Sequence, residues 1–266
     1  MQLKELIDGY DLKARLIPTA IALMPSFWTA YYFRPSLLSD PFSLAGSGLA
    51  SIALIYLASM FCRDLGVRWG AKFWSCRGGL PSTRLARMRD PSLSYGQKTR
   101  IGHAVMKNFG IALLSLEDES RFPEQADRRI VDAFRETREY VRRFDHCGLV
   151  SKHGAEYGFA RNLCGCRSVF AVQSVVGFVV CGLKGASEHW ILTSGCLGNG
   201  LLLLLWIPFA WLFLPRMLRL NAEAYATRTW ITFLTLTNDA IKKPNGSVEL
   251  DGNDRPIAMI GSRSDI

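Results

Sequence analysis

Four uncharged apolar runs constrain this chain more than any other feature. Residues 16–33 hold 18 consecutive uncharged residues, 44–62 hold 19, 169–183 hold 15 and 190–214 hold 25. A helix rises 1.5 Å per residue, so about 20 residues cross a hydrocarbon core of about 30 Å. The third run covers roughly 22 Å alone. Arg167 and Lys184 at its ends can snorkel, and Cys164–Cys166 can add a turn. The fourth run reads "GLLLLLWIPFAWLFL" and leaves no polar face for water. The expected fold is therefore all-α: a polytopic membrane protein with four transmembrane helices and a helical cytoplasmic module.

The first run begins only at residue 16 and is followed by "RPS", with no small-x-small cleavage site. It is expected to stay as an anchor and not to be removed as a signal peptide.

Charge sets the expected orientation. Of 32 Lys and Arg, 20 lie in residues 63–167, against Arg34 alone between runs one and two and Lys184 alone between runs three and four. By the positive-inside bias both termini and the long insert are expected to face the cytoplasm. Only short connections remain outside, about residues 34–43 and 184–189. That leaves no room for an external ligand-binding domain. The expected divisions are an N-terminus with hairpin one (1–62), the insert (63–167), hairpin two (168–215) and a cytoplasmic helix with its tail (216–266).

The insert reads as helices. Cys62, Leu65, Trp69 and Phe73 recur at helical spacing, so the second span should continue as a stalk. Ile101, Val105, Phe109 and Leu113 mark another helix. A third should start at Pro123, with Ile130, Phe134, Val141 and Phe144 on its apolar side and ion pairs Glu124–Arg128 and Glu139–Arg143. After the fourth span, Leu218, Ala222, Tyr225, Thr229, Phe233, Leu236 and Ala240 form one long stripe. We expect it to pack within the chain, ahead of a stop at Lys242-Lys243 and either a hairpin at Asp251-Gly252 or a disordered tail.

Chemistry-bearing motifs are few. There is no HExxH, GxSxG or kinase set, and no GxxxxGK[ST] loop. Cys164-Gly-Cys166 is not a CxxC knuckle, so no metal and no cofactor is expected; the two cysteines read as small apolar fillers. "SCRGGLPSTRLARMRD" (75–90) is the most unusual stretch. Gly78-Gly79 frees backbone amides, and a helix from Pro81 would carry Arg84, Arg87 and Arg89. Together these are the candidate contact for an anion or a lipid headgroup. Gln173 and Asn199, polar residues inside apolar runs, are the candidate intramembrane polar sites. Gly46, Ala50 and Ala53, with Gly195, Gly198 and Gly200, are small enough for close helix packing.

"RGGLPSTRLARMRD" and "EYGFARNL" resemble motifs of a loosely defined group of uncharacterised bacterial four-span proteins. These carry a Trp-Gly-Gly-x-Pro-Thr-like turn, an Arg-x-x-Asp ending and a Tyr-Gly-Phe-Arg-Arg-Asn-Leu-like lead to the third span. Here Arg77 stands at the tryptophan position and Ala160 replaces an arginine. The layout also resembles the four-span effectors encoded beside cyclic-oligonucleotide synthases in bacterial antiphage systems. The expected function is an oligomerising membrane effector of defence or signalling. The alternatives are a scaffold docking a cytosolic partner through the insert and, behind it, a membrane-bound enzyme. Expected partners are the lipid bilayer, further copies of the chain, and a cytosolic protein or nucleotide; nucleic acid is not expected.

Overall fold

The computed structural model describes residues 9–34, 41–187 and 193–242, with side chains over 9–34, 53–187 and 193–238. The tail hairpin, His189, and the side chains of Gly46 and Ala50 lie outside these residues. Every element among them is helical: α1 (Ile17–Phe33), α2 (Pro41–Ser75), α3 (Pro81–Arg84), α4 (Tyr95–Phe109), α5 (Leu116–Arg121), α6 (Pro123–Phe144), α7 (Leu149–Ser187), α8 (Ser194–Pro208) and α9 (Leu214–Lys242). Two helices are long and apolar enough to cross a membrane, Leu149–Ser187 and the unbroken rod Ser194–Asn238.

Two π-helical turns, Leu12–Leu16 and Phe209–Phe213, each end two residues before a proline, Pro18 or Pro215. Proline has no N–H and its ring crowds the carbonyl four residues back. Widening the preceding turn accommodates the ring without breaking the rod. This is how α8 runs into α9 as one helix.

α7 is the central element and packs against α1, α2, α8 and α9. Its crossing with α2 is a backbone contact. A Cβ on Gly165 would stand 2.6 Å from Gly66 Cα, and one on Gly66 would stand 2.7 Å from Asn162 Cα. Glycine is required at both positions because no side chain fits between the helices. Cys166 sits in the same crossing with Cys62 and Ala22, while Cys164 joins the neighbouring cluster of Phe73, Trp74, Leu163 and Phe170. The two cysteines of the CxC sequence thus enter different clusters.

The insert folds over the far end of α9. Leu85, Ile101, Val105, Ile130 and Val141 form one core with Ala226, Trp230 and Phe233. The expected α9 stripe packs within the chain: Leu218, Ala222, Thr229 and Phe233 are all buried. Full burial of each large apolar side chain contributes about 1.5–3 kcal/mol, so Trp230 and Phe233 anchor the insert to the rod. α4 begins with a capping box in which Ser94 and Gln97 bond reciprocally, and ends at Gly110 in the left-handed region, φ 68°. That end places Leu113 beyond the helix whose stripe it was expected to continue. α6 starts at Pro123 as expected. Glu124–Arg128 stands at 4.0 Å, whereas Glu139 faces Arg138 at 3.0 Å and not Arg143.

Candidate functional site

The arginine turn sits where the stalk end of α2, the insert and α9 meet. Gly78 and Gly79 terminate the stalk in left-handed conformations, φ 77° and 101°, and Gly79 N–H donates to the Trp74 carbonyl at 3.0 Å. The chain then starts α3 at Pro81, but that helix stops at Arg84, so Arg87 and Arg89 lie on turns beyond it. Beyond Arg84 the chain is held by Lys98, buried on α4. Its ammonium gathers the carbonyls of Arg87 (2.6 Å), Met88 (3.2 Å) and Asp90. Those carbonyls converge on one cation instead of pointing along a common helix axis.

Each of the three arginines faces a carboxylate. Arg87 Nε and Nη2 donate to both oxygens of Asp127 at 2.7 and 2.6 Å, and Nη1 donates to the Gly78 carbonyl at 2.7 Å. This bidentate pair is the strongest of the set. Arg84 donates to Glu223 of α9 at 2.8 Å and stands 3.3 Å from Asp90. Arg89 stands 3.3 Å from buried Glu119, whose other oxygen accepts the Met88 N–H at 2.7 Å. Gly78, Gly79, Arg84, Arg87 and Arg89 thus come together, each guanidinium beside an acidic partner of the same chain. Burial alone pushes the Asp90 carboxyl up; the Ser92 hydroxyl and N–H, with Arg84 and Lys98, outweigh it and hold it below its ordinary value. Burial lowers the Lys98 ammonium against the opposing pull of Asp90 and Glu119.

The two polar residues of the apolar runs join helices. Gln173 accepts from the Ser26 hydroxyl of α1 at 2.8 Å. Asn199 donates to Thr29 of α1 at 3.0 Å and to the Gly195 carbonyl at 3.1 Å; its side-chain oxygen is buried without a hydrogen bond. Gly177 lets this cluster close, since a Cβ there would stand 2.7 Å from Asn199 Nδ2.

Sequence reasoning did not single out Lys98, Asp127, Glu119 or Glu223, the partners that organise the turn. It also missed Asn162, which donates to the Ala14 carbonyl at 2.6 Å. The sequence signal for Asn162 was present in Pro18, which cannot supply the N–H that Ala14 would receive four residues on. Among the described residues, no group of three or more His, Cys, Asp or Glu is placed to hold a metal ion.

Compared with known proteins, the chain matches no protein-family model, no curated protein and no solved structure. Its function has therefore to be read from its own geometry.

Proposed function

We propose that the chain is a polytopic protein of a bacterial inner membrane, with four spans and both termini and the helical insert in the cytoplasm. In this reading it acts as an oligomerising effector of defence or signalling. The observation that carries the membrane placement is a pair of cation–aromatic clamps bracketing the apolar part of α7. At one end Arg167 lies 4.9 Å from the Trp69 ring and 5.2 Å from the Trp211 ring. At the other, Lys184 lies 5.1 and 5.0 Å from Tyr32 and Phe33. The stretch between them covers roughly 25 Å at helical rise, close to a bilayer core. It exposes Val172, Val175, Val176, Val179 and Val180. Aromatic rings and basic groups at the two ends of an exposed apolar belt suit the headgroup regions.

The effector part rests on mechanical continuity. The Ser194–Asn238 rod carries the apolar belt at one end and Trp230 and Phe233 of the insert core at the other. A partner or ligand engaging the insert therefore acts on the same rigid element that lies in the bundle. Expression in bacteria with a voltage-sensitive dye, together with chemical crosslinking in membranes, tests this. Depolarisation accompanied by crosslinked oligomers is expected. A crosslinked monomer with an unchanged potential defeats the effector reading.

One observation favours the scaffold as second reading. α6 exposes Arg128, Arg135, Arg142 and Arg143 interleaved with Glu124, Asp132 and Glu136, a charged face suited to a polar cytosolic partner. A stoichiometric soluble protein retained in mild detergent supports it.

A further inference from the structure

A cleft of about 470 Å³ opens between the stalk end of α2, the arginine turn, α6 and α7. Its rim carries Val67, Leu80 and Val131, all exposed, and its polar wall carries Trp74, Tyr157 and Arg161. We infer that this cleft binds a phosphate-bearing ligand, the anion held by the Arg161 guanidinium, the Trp74 indole N–H and the Tyr157 hydroxyl.

The argument is a count of donors and acceptors. Asp127, the carboxylate in the cleft wall, has both oxygens occupied by Arg87. Trp74 is 3% exposed, and its indole N–H lies beside the Tyr157 hydroxyl, a poorly aligned acceptor that Arg161 also uses. An indole nitrogen can only donate, so burial leaves it short of an acceptor. Arg161 pairs with no carboxylate among the described residues. Its contacts are the Asn162 side-chain oxygen at 3.3 and 3.4 Å, the Tyr157 ring at 5.6 Å and the Tyr157 hydroxyl, neutral groups all. The Arg87–Asp127 pair is neutral overall, which leaves the cleft with one uncompensated cation. The Arg161 stem packs along α2 at Gly70, its Cγ and Cδ 3.4 Å from where a Cβ would be. An oxyanion supplies the acceptors this wall lacks.

Depth gives two sources for the same chemistry. On the membrane reading above, on which only the lipid source rests, Arg161 lies six residues, roughly 9 Å, to the cytosolic side of Arg167. The cleft is then at the level of lipid phosphates and open to soluble phosphates. The apolar rim suits an amphiphile.

The full chain, purified in a phosphate-free maltoside detergent, is titrated with inorganic phosphate and with monomeric dihexanoyl phosphatidylglycerol. Saturable binding of at least one probe is expected, weakened about ten-fold or more in Arg161→Gln and several-fold in Trp74→Phe, and unchanged in Arg142→Gln. Preference for the lipid by about ten-fold assigns a headgroup, and equal binding assigns a soluble phosphate. Tyr157→Phe, which keeps the ring, serves as a second variant should Arg161→Gln lose its monodisperse elution. Binding of neither probe, or equal binding by wild type, Arg161→Gln and Tyr157→Phe, overturns the site. If the chain is released from membranes by carbonate without detergent, the membrane reading fails while phosphate binding still stands.

Discussion

The side-chain amide of Asn162, in the middle of α7, donates to the backbone carbonyl of Ala14 at 2.6 Å, 148 residues away. Pro18 denies that carbonyl its helical donor, and Asn162 supplies one from another helix. The bond ties the N-terminal π turn to α7 next to the Gly66–Gly165 crossing with α2. Asn162→Ala removes this donor from a buried backbone carbonyl. We expect a loss of about 1–3 kcal/mol, read as a lower unfolding midpoint in detergent.

The α2–α7 crossing depends on the missing side chain of Gly165. Gly165→Ala places a methyl carbon 2.6 Å from Gly66 Cα, so the backbones must part. A destabilisation of about 1–3 kcal/mol is expected. Gly102→Ala on α4 is the control: a Cβ there meets nothing within 4 Å. It should be neutral or stabilising by about 0.5–1 kcal/mol, as for an ordinary helical glycine. Thermal melts of the two variants side by side separate steric clash from helix propensity.

The arginine turn makes stability depend on acidity. Asp90 titrates below its ordinary value of 3.8 in the folded chain. Its contribution is therefore fully present above about pH 3.8 and is lost as pH falls through the lower native value. Wild type should exceed Asp90→Asn in melting temperature at neutral pH. The gap should close on acidification below that point. A gap independent of pH would show that the carboxylate's charge is not what matters there.

Arg87→Lys keeps the charge but cannot reproduce the two-pronged bond to Asp127 or reach the Gly78 carbonyl in the same pose. Because the Asp127 side chain remains 35% exposed, solvent screening limits the loss to about 1–2 kcal/mol. Asp127→Asn should cost a similar amount, and the double variant less than the sum. A denaturation double-mutant cycle measures this directly.

Asn199→Leu removes the α8–α1 bond to Thr29 and crowds Gly177. The expected loss is about 0.6–2 kcal/mol, the range of interhelical polar contacts in apolar surroundings. Thermal aggregation in detergent reads it out, and Gly177→Ala should behave in the same direction because it closes the same gap.

Local pattern determined much of this protein. The stalk from Cys62 to Phe73, the start of α6 at Pro123 and the long α9 stripe follow from helical spacing and proline chemistry, both properties of neighbouring residues. The polar positions Gln173 and Asn199 were also legible, because an uncharged run makes any polar group conspicuous. Only the tertiary structure decided the partners. Arg87 meets Asp127 from 40 residues away and Arg84 meets Glu223 from 139. A basic, helical insert offers many carboxylates at equal local merit, and Lys98, on the next helix, gathers the carbonyls of Arg87, Met88 and Asp90 beyond the end of α3. Periodicity marks which face of a helix is buried. Which charge that face meets depends on how the helices cross, and spacing along the chain does not carry that information.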